Sequence, residues 1–292
     1  MSGRVGIGII TYNRSQVVAE TVEAVRRMTA RSDVDLVVAD DGSTDDTRDV
    51  LARMNVAVIS GKNMGIAWNK NRALFVLSRV LDCQTVILLE DDVRPQFFGW
   101  EAPWVTAAER WGHANWAAPW MKQYFEEGTG VPEMPYASSA ITAQCASFSR
   151  EALIYGGFFD SRFRGFGHEH VEHTRRLVRV GYGGTDTRVD GKERVRYRLI
   201  ESPLTVIRAG SFLNEEEVAR NVKIAHQAMA ETTYRAPWSN EEEMRQMRAE
   251  VERMQAAVKD GYALNRPVAE APKPAEQVSF VRRALRSLGL AR

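Results

Sequence analysis

Four short apolar runs near the start of the chain each end in a polar loop, and this repetition constrains the fold more than any other feature. Val5–Ile10 runs into Thr11-Tyr12-Asn13-Arg14, and 36–39 runs into Asp40-Asp41-Gly42-Ser43-Thr44-Asp45-Asp46. Val56–Ser60 runs into Gly61-Lys62-Asn63-Met64-Gly65, and 85–89 into Glu90-Asp91-Asp92. Segments with helical spacing lie between them: 15–29, with Val18, Val22, Val25 and Met28 on one face; 44–54, opened by Ser43 or Thr44 as N-cap; and 66–80. Strand and helix alternating at this rhythm predict an α/β fold with a mostly parallel central sheet flanked by helices. Ligands of such sheets bind beyond the carboxyl ends of the strands, which is where all four polar loops fall.

Composition narrows the class without choosing a function. Of 292 residues, 44% are apolar and 26% charged, as in ordinary globular proteins, and no run approaches the 18 apolar residues of a membrane span. A formal net charge of +1 gives no global attraction for nucleic acid, so no nucleic-acid partner is expected. Cys83 and Cys145 form no Cys-x-x-Cys pair, which argues against a thiolate zinc site. With no signal-peptide pattern at the N-terminus, a cytoplasmic enzyme is expected.

Beyond Trp100 the pattern loosens. Gly128–Pro135 reads as a loop, 138–148 and 187–207 as strands, and a helix begins near His168. Two helices are expected over 214–260, divided by Pro237-Trp238-Ser239-Asn240, with Ser239 or Asn240 capping the second. A Pro- and Ala-containing linker follows over 266–274. The last stretch, 278–292, sets Arg282, Arg283, Arg286 and Arg292 beside apolar residues; such a segment suits peripheral contact with an anionic membrane face, a terminal helix or a contact with another chain.

Two acidic clusters carry chemistry. Three adjacent carboxylates at the end of a buried strand repel one another, and a hard cation such as Mn²⁺ or Mg²⁺ relieves that repulsion by taking oxygen ligands from Glu90 to Asp92. Asp40 or Asp41 can accept a hydrogen bond from a nucleobase while Gly42 lets the chain turn closely past it; the same residues also suit an Asx turn with a helix cap. Further on, three of the five histidines, His168, His170 and His173, surround Glu169. A carboxylate or an imidazole there can serve as a general base. On one helix Glu169 and His173 share a face, whereas His170 points elsewhere.

In order and spacing these motifs resemble the inverting family-two glycosyltransferases with the GT-A (Rossmann-like) fold. The resemblance is carried by Thr11 to Arg14, Asp40 to Asp45, Asn63 to Gly65 with Asn69-Lys70-Asn71, Leu89 to Asp92, Gly156 to Asp160, and Gly165 to Glu172 ending in Arg176-Leu177. It covers roughly residues 5 to 180 and implies transfer of a sugar from a nucleotide-diphosphate sugar, a UDP-sugar in the usual case, to an acceptor hydroxyl. It further implies that Thr11, Tyr12, Asn13, Arg14, Asp40, Asp41, Asn63, Gly65, Lys70, Glu90 and Asp91 bind the donor. The family often has arginine where this chain has Lys70, and Arg72 is a candidate to substitute for it. Asp92 and Glu90 would hold Mn²⁺ or Mg²⁺, and His226 is a candidate late ligand. The family's Glu-Asp pair falls on Glu169 and His170, leaving two readings: Glu169 is the base and a histidine completes the metal shell, or His170 is itself the base.

Sugar rings pack on aromatic faces. Most of the tryptophans between 100 and 120 are assigned to the core, and Trp120 and Tyr124 to an acceptor whose identity the sequence leaves open. The chain accordingly reads as a GT-A domain over 1–210, comprising a nucleotide-binding half (1–99) and an acceptor-binding half (100–210). A helical extension (211–265) and a linker with basic amphipathic tail (266–292) follow. A catalytically inactive nucleotide-sugar-binding scaffold and a nucleotidyltransferase are the competing readings. The second lacks support in Thr11–Arg14, which has no glycines for a triphosphate loop.

Overall fold

A computed structural model describes residues 3–165, 167–207, 215–231 and 234–259. The first half alternates β1 (Val5–Thr11), α1 (Ser15–Met28), β2 (Val34–Asp40), α2 (Thr47–Arg53), β3 (Ala57–Ser60), α3 (Ile66–Phe75) and β4 (Thr85–Glu90), as the periodicity predicts. α3 continues through a π-helical turn, Val76–Val80. Every residue of β1 and of β2 is buried, as expected for central parallel strands covered on both faces.

The second half is more intricate than its sequence pattern. After β5 (Val93–Pro95) come α4 (Ala102–Trp111), β6 (His113–Trp116), β7 (Phe125–Glu127), β8 (Tyr136–Ser138), β9 (Cys145–Ser149) and α5 (Arg150–Tyr155). There follow α6 (Glu169–Arg179), β10 (Gly184–Val189), β11 (Lys192–Ile200), β12 (Leu204–Val206), α7 (Glu215–Met229) and α8 (Glu241–Lys259). Neighbouring strands run β3-β2-β1-β4-β9-β6-β11-β8-β7, with β10 also on β11; β5 and β12 form a separate pair. The strands from β3 to β4 are mutually parallel, and β9 enters antiparallel to β4. This brings the chain's second half into register beside the acidic end of β4.

Several element boundaries differ from the sequence expectation for identifiable reasons. α2 starts at Thr47 rather than Thr44, because the Ser43 hydroxyl is turned to Asp40 instead of capping the helix. The segment 138–148 divides into β8, a loop and β9. The segment 187–207 divides at Asp190-Gly191, whose φ values of 51° and 75° make the two-residue turn of a hairpin. α4 was not expected, since its aromatics obscure the helical period. Asn240 caps α8 by accepting from the backbone N–H of Glu243 at 2.9 Å. The segments 266–274 and 278–292 lie outside the described residues. No helix among the described residues is long and apolar enough to cross a membrane.

Two apolar clusters fill the fold. One gathers Val18, Val22, Trp100, Trp104 and Trp116; the other gathers Trp68, Leu74, Leu153, Leu177 and Met247 of α8. α8 is also tied to α3 by a buried ion pair between Arg72 and Glu250 (2.8 Å), and Asn71 donates to the carbonyls of Phe159 (2.8 Å) and Pro237 (3.1 Å).

Buried histidines occupy the junction of α6 and β6. His113 Nδ1 lies 2.8 Å from the Ser147 carbonyl, His170 Nε2 2.6 Å from Asn115 Oδ1, and His173 Nε2 2.9 Å from the Gly157 carbonyl. Burial holds His113 down at about 4. It holds His170 and His173 well below the ordinary histidine value, with the charges of Lys70 and Arg176 respectively acting in the same direction. Because the unfolded rings titrate near 6.5, the unfolded chain binds these protons first as pH falls. The stability carried by a neutral ring is therefore full above about pH 6.5 and is lost between there and the folded value. For His113 the loss reaches about 3 kcal/mol by pH 4. In an NMR titration the ring resonances of these three histidines are expected to stay in the neutral position from pH 7.5 down to 5. A ring that titrates near 6.5 would contradict the burial.

Candidate active site

The polar loops converge at the carboxyl ends of β1, β2, β3 and β4. Asn13, with φ of 52°, folds the β1 loop onto the β2 loop: its side-chain oxygen accepts from the Thr44 N–H (2.7 Å), and its own N–H donates to the Ser43 hydroxyl (2.8 Å). Gly42 has φ of 76°, and a Cβ there would stand 2.6 Å from the Gly61 carbonyl, so this position joins the second and third loops. Asp41 closes the link by accepting from the N–H groups of Met64 (2.9 Å) and Gly65 (2.8 Å) and from Arg72 (2.7 Å). Asp40 is fully buried and accepts from Ser43 and from Ser60 (2.7 Å). Both aspartates thus brace the loops, and burial raises the Asp41 carboxyl against the pull of its donors. Arg72 does not stand in for an arginine at position 70. It is fully buried and spent on Asp41 and Glu250, because residues two apart on a helix face different ways.

At the end of β4 the three acids have separate environments. Asp91 accepts from the Thr11 hydroxyl (2.7 Å) and from Arg14 (2.9 Å), which occupies both of its oxygens. Asp92 Oδ2 lies 3.5 Å from Arg14, while its buried Oδ1 has no hydrogen-bond partner among the described residues. Glu90 is partly exposed and lies 3.9 Å from the Lys70 ammonium. Loss of hydration raises Glu90 to about 7; Lys70 opposes this, and Asp92, Glu169 and Asp91 reinforce it. Loss of hydration likewise raises Asp91 and Asp92 against the charge of Arg14.

Lys70 joins this cluster to the second half of the chain. Its buried ammonium lies 3.0 Å from Glu169 Oε1 and 5.3 Å from the centre of the Phe159 ring. The approach is set by two glycine loops. Gly65 has φ of 90°, and a Cβ there would stand 2.8 Å from the Gly165 nitrogen. Arg164 fastens the same crossing by donating to the Met64 carbonyl (2.9 Å) and to Glu243 of α8 (2.8 Å). α6 begins at Glu169, so Glu169 and His170 diverge by one helical step: Glu169 meets Lys70, and His170 turns inward to Asn115 and the Phe159 ring.

The remaining candidates are dispersed. Tyr12, 44% exposed, follows β1 at the rim, and Asn63 is exposed on the third loop. Trp120 and Tyr124 are 53% and 42% exposed on a 3₁₀ turn after β6, where Trp120 meets buried Trp116 edge-on at 5.3 Å. His226 faces solvent on α7, and it joins no cluster with Glu90 and Asp92. Among the described residues no three His, Cys, Asp or Glu side chains come together to hold a metal ion by themselves. Asn115 and Glu250 were invisible in the sequence, since each stands outside the motifs and gains its role from a partner distant along the chain.

The central, mostly parallel sheet flanked by helices is that of the GT-A fold. Residues 7–95 match the family model described as Glycosyl transferase family 2. Among solved structures, the mannosyltransferase PcManGT from Pyrobaculum calidifontis, in complex with GDP-Man and Mn²⁺, superposes with a TM-score of 0.56 at 16% identity, covering 99% of this chain and 87% of that one. S. aureus TarS (1–349) gives 0.50 at 13%, covering 99% and 83%. GalNAc-T7 with UDP, GalNAc and Mn²⁺ gives 0.51 at 14%, covering 90% of this chain but only 58% of that one. At these identities the likeness is one of fold. No curated protein matches the sequence.

Proposed function

We propose that this protein transfers a sugar from a nucleotide-diphosphate sugar, a UDP-sugar, to an acceptor hydroxyl with inversion and with help from Mn²⁺ or Mg²⁺. The observation that carries the reading is the Lys70 ammonium, which lies 3.9 Å from Glu90 of the acid cluster and 3.0 Å from Glu169. One ammonium in contact with both the acid cluster and Glu169 supports reading the cluster as the cation side and Glu169 as the base. The GDP-Man and Mn²⁺ named for the mannosyltransferase structure, and the UDP, GalNAc and Mn²⁺ named for GalNAc-T7, are consistent with it.

The residues present fit a hard cation. Among the described residues Asp92 Oδ1 is buried without a partner and Glu90 is held only by the longer Lys70 contact, so these two carboxylates have capacity to spare. A cation bound by one or two carboxylates takes its other ligands from phosphate oxygens and water, and when bound it supplies positive charge for the departing diphosphate. Thr11, Asn13 and Arg14 would line the donor side with Tyr12 and Asn63 at the rim, while Asp40 and Asp41 set the loops that receive the base. Trp120 and Tyr124 offer exposed rings to the acceptor.

In the transfer the acceptor oxygen forms a bond to the anomeric carbon as the bond from that carbon to the phosphate oxygen breaks, its electron pair leaving with the diphosphate. The acceptor's proton passes to Glu169. Lys70, 3.0 Å away, fixes the orientation of that carboxylate. Glu169 suits this role better than His170, whose ring is engaged with Asn115 and packed on Phe159.

The test is turnover of UDP-sugars with Mn²⁺ across candidate acceptors. Asp92→Asn is expected to weaken Mn²⁺-dependent donor binding by about tenfold or more, read by calorimetry, because it removes a charge from the set that holds the cation. Donor binding unchanged in Asp92→Asn would remove Asp92 from the metal site. Binding without any turnover would favour the inactive scaffold.

A further inference from the structure

A second basic site lies away from the acid cluster, where β7, β8, β10 and β11 form the far side of the sheet. Arg194, Arg196 and Arg198 alternate along β11 and therefore share one face. With Glu126, Thr185 and Thr187 they line a cavity of about 220 Å³. Arg198 is the unusual member. Its guanidinium stacks 3.9 Å from the centre of the Trp111 ring, and among the described residues it donates no hydrogen bond and meets no carboxylate. Burial, with no acid to offset it, lowers its proton affinity. Arg194 (3.0 Å) and Arg196 (2.6 Å) share the single carboxylate of Glu126.

A half-buried guanidinium whose N–H donors meet no acceptor among the described residues can exchange water for the oxygens of a ligand. Stacking on Trp111 fixes the plane of the fork, which is the arrangement that receives an oxyanion through two parallel hydrogen bonds. We propose that this cavity is an oxyanion subsite, occupied by a phosphate group, with Arg198 as its principal donor and Arg196 and Arg194 as supporting charges. Glu126 sets the affinity by partly neutralising the two supporting arginines. The subsite shares no lining residue with the cluster of Glu90, Asp92, Lys70 and Glu169, so it stands independently of the sugar-transfer reading.

Calorimetric titration of the full chain with inorganic phosphate, and separately with a sugar phosphate, tests this. The wild type is expected to bind phosphate with a millimolar or lower Kd. Arg198→Met preserves packing against Trp111 without the charge and is expected to weaken binding by about tenfold or more. Glu126→Gln releases Arg194 and Arg196 from their acid and is expected to tighten binding several-fold, an outcome that a purely structural role for these residues would not produce. A sugar phosphate that binds more tightly than inorganic phosphate, with the same dependence on Arg198, would identify a phosphate ester as the source of the group; equal binding would identify free phosphate. No phosphate binding by the wild type, or equal binding by Arg198→Met, would overturn the proposal.

Discussion

Glu169→Gln is expected to lower turnover by about 10²- to 10⁴-fold, the range for removing a positioned general base, while donor and Mn²⁺ binding stay within about threefold. The amide keeps the volume and can still accept a hydrogen bond from Lys70, which lies 3.0 Å from Glu169 in the native chain. What it cannot do is take the acceptor's proton. Because the carboxylate acts only as the new bond forms, the loss should appear in kcat rather than KM. His170→Asn provides the contrast. That ring contacts Asn115 and Phe159, so its replacement should cost thermal stability and less than about tenfold in kcat. A Glu169→Gln enzyme retaining more than a tenth of wild-type kcat would move the base elsewhere; equal losses in both variants would put it on His170 or leave both as scaffolding.

The parts of this site legible in the sequence were those set by local chain behaviour. A parallel strand must end where its apolar run ends, so Arg14, Asp41, Gly65 and Glu90 could be placed at one edge without knowing how the strands were ordered. Glu169 was singled out by the resemblance, aligned through Gly167 and Arg176-Leu177, and by the histidines around it. What the sequence left open was decided by helix phase and by distant partners. Whether Glu169 or His170 faces the cleft depends on α6 starting at Glu169. Whether Lys70 or Arg72 meets the acids depends on which face of α3 meets α6 and which meets α8. Lys70 pairs with a residue 99 positions away and Arg72 with one 178 away, and no periodicity carries information over such spans. The strands of the second half were underestimated for a related reason. β6, β7 and β8 are four, three and three residues long, too short to show alternation.

The same long-range pairing makes Arg72→Met the most damaging change expected outside the chemistry. Arg72 is fully buried and is held by Asp41 at 2.7 Å and by Glu250 at 2.8 and 3.1 Å. Glu250 comes from α8, so the one guanidinium binds the second strand loop, the third loop through the Lys62 carbonyl (2.9 Å), and the C-terminal helix. Methionine matches its bulk and removes its charge, leaving two buried carboxylates without a cation. Breaking a buried pair in this way costs about 3–5 kcal/mol, which for a chain of this size lowers Tm by about 10 °C. The double variant Arg72→Met with Glu250→Met removes one of the stranded carboxylates and is expected to recover part of the loss. If the network serves the nucleotide loops as well as the fold, the double variant should still bind donor weakly, since Asp41 would hold Met64 and Gly65 without its counter-charge. A double variant restored in Tm and unchanged in donor affinity would confine Arg72 to holding α8 in place. Recovery of Tm without recovery of affinity would tie the C-terminal helix to the donor site through a single side chain.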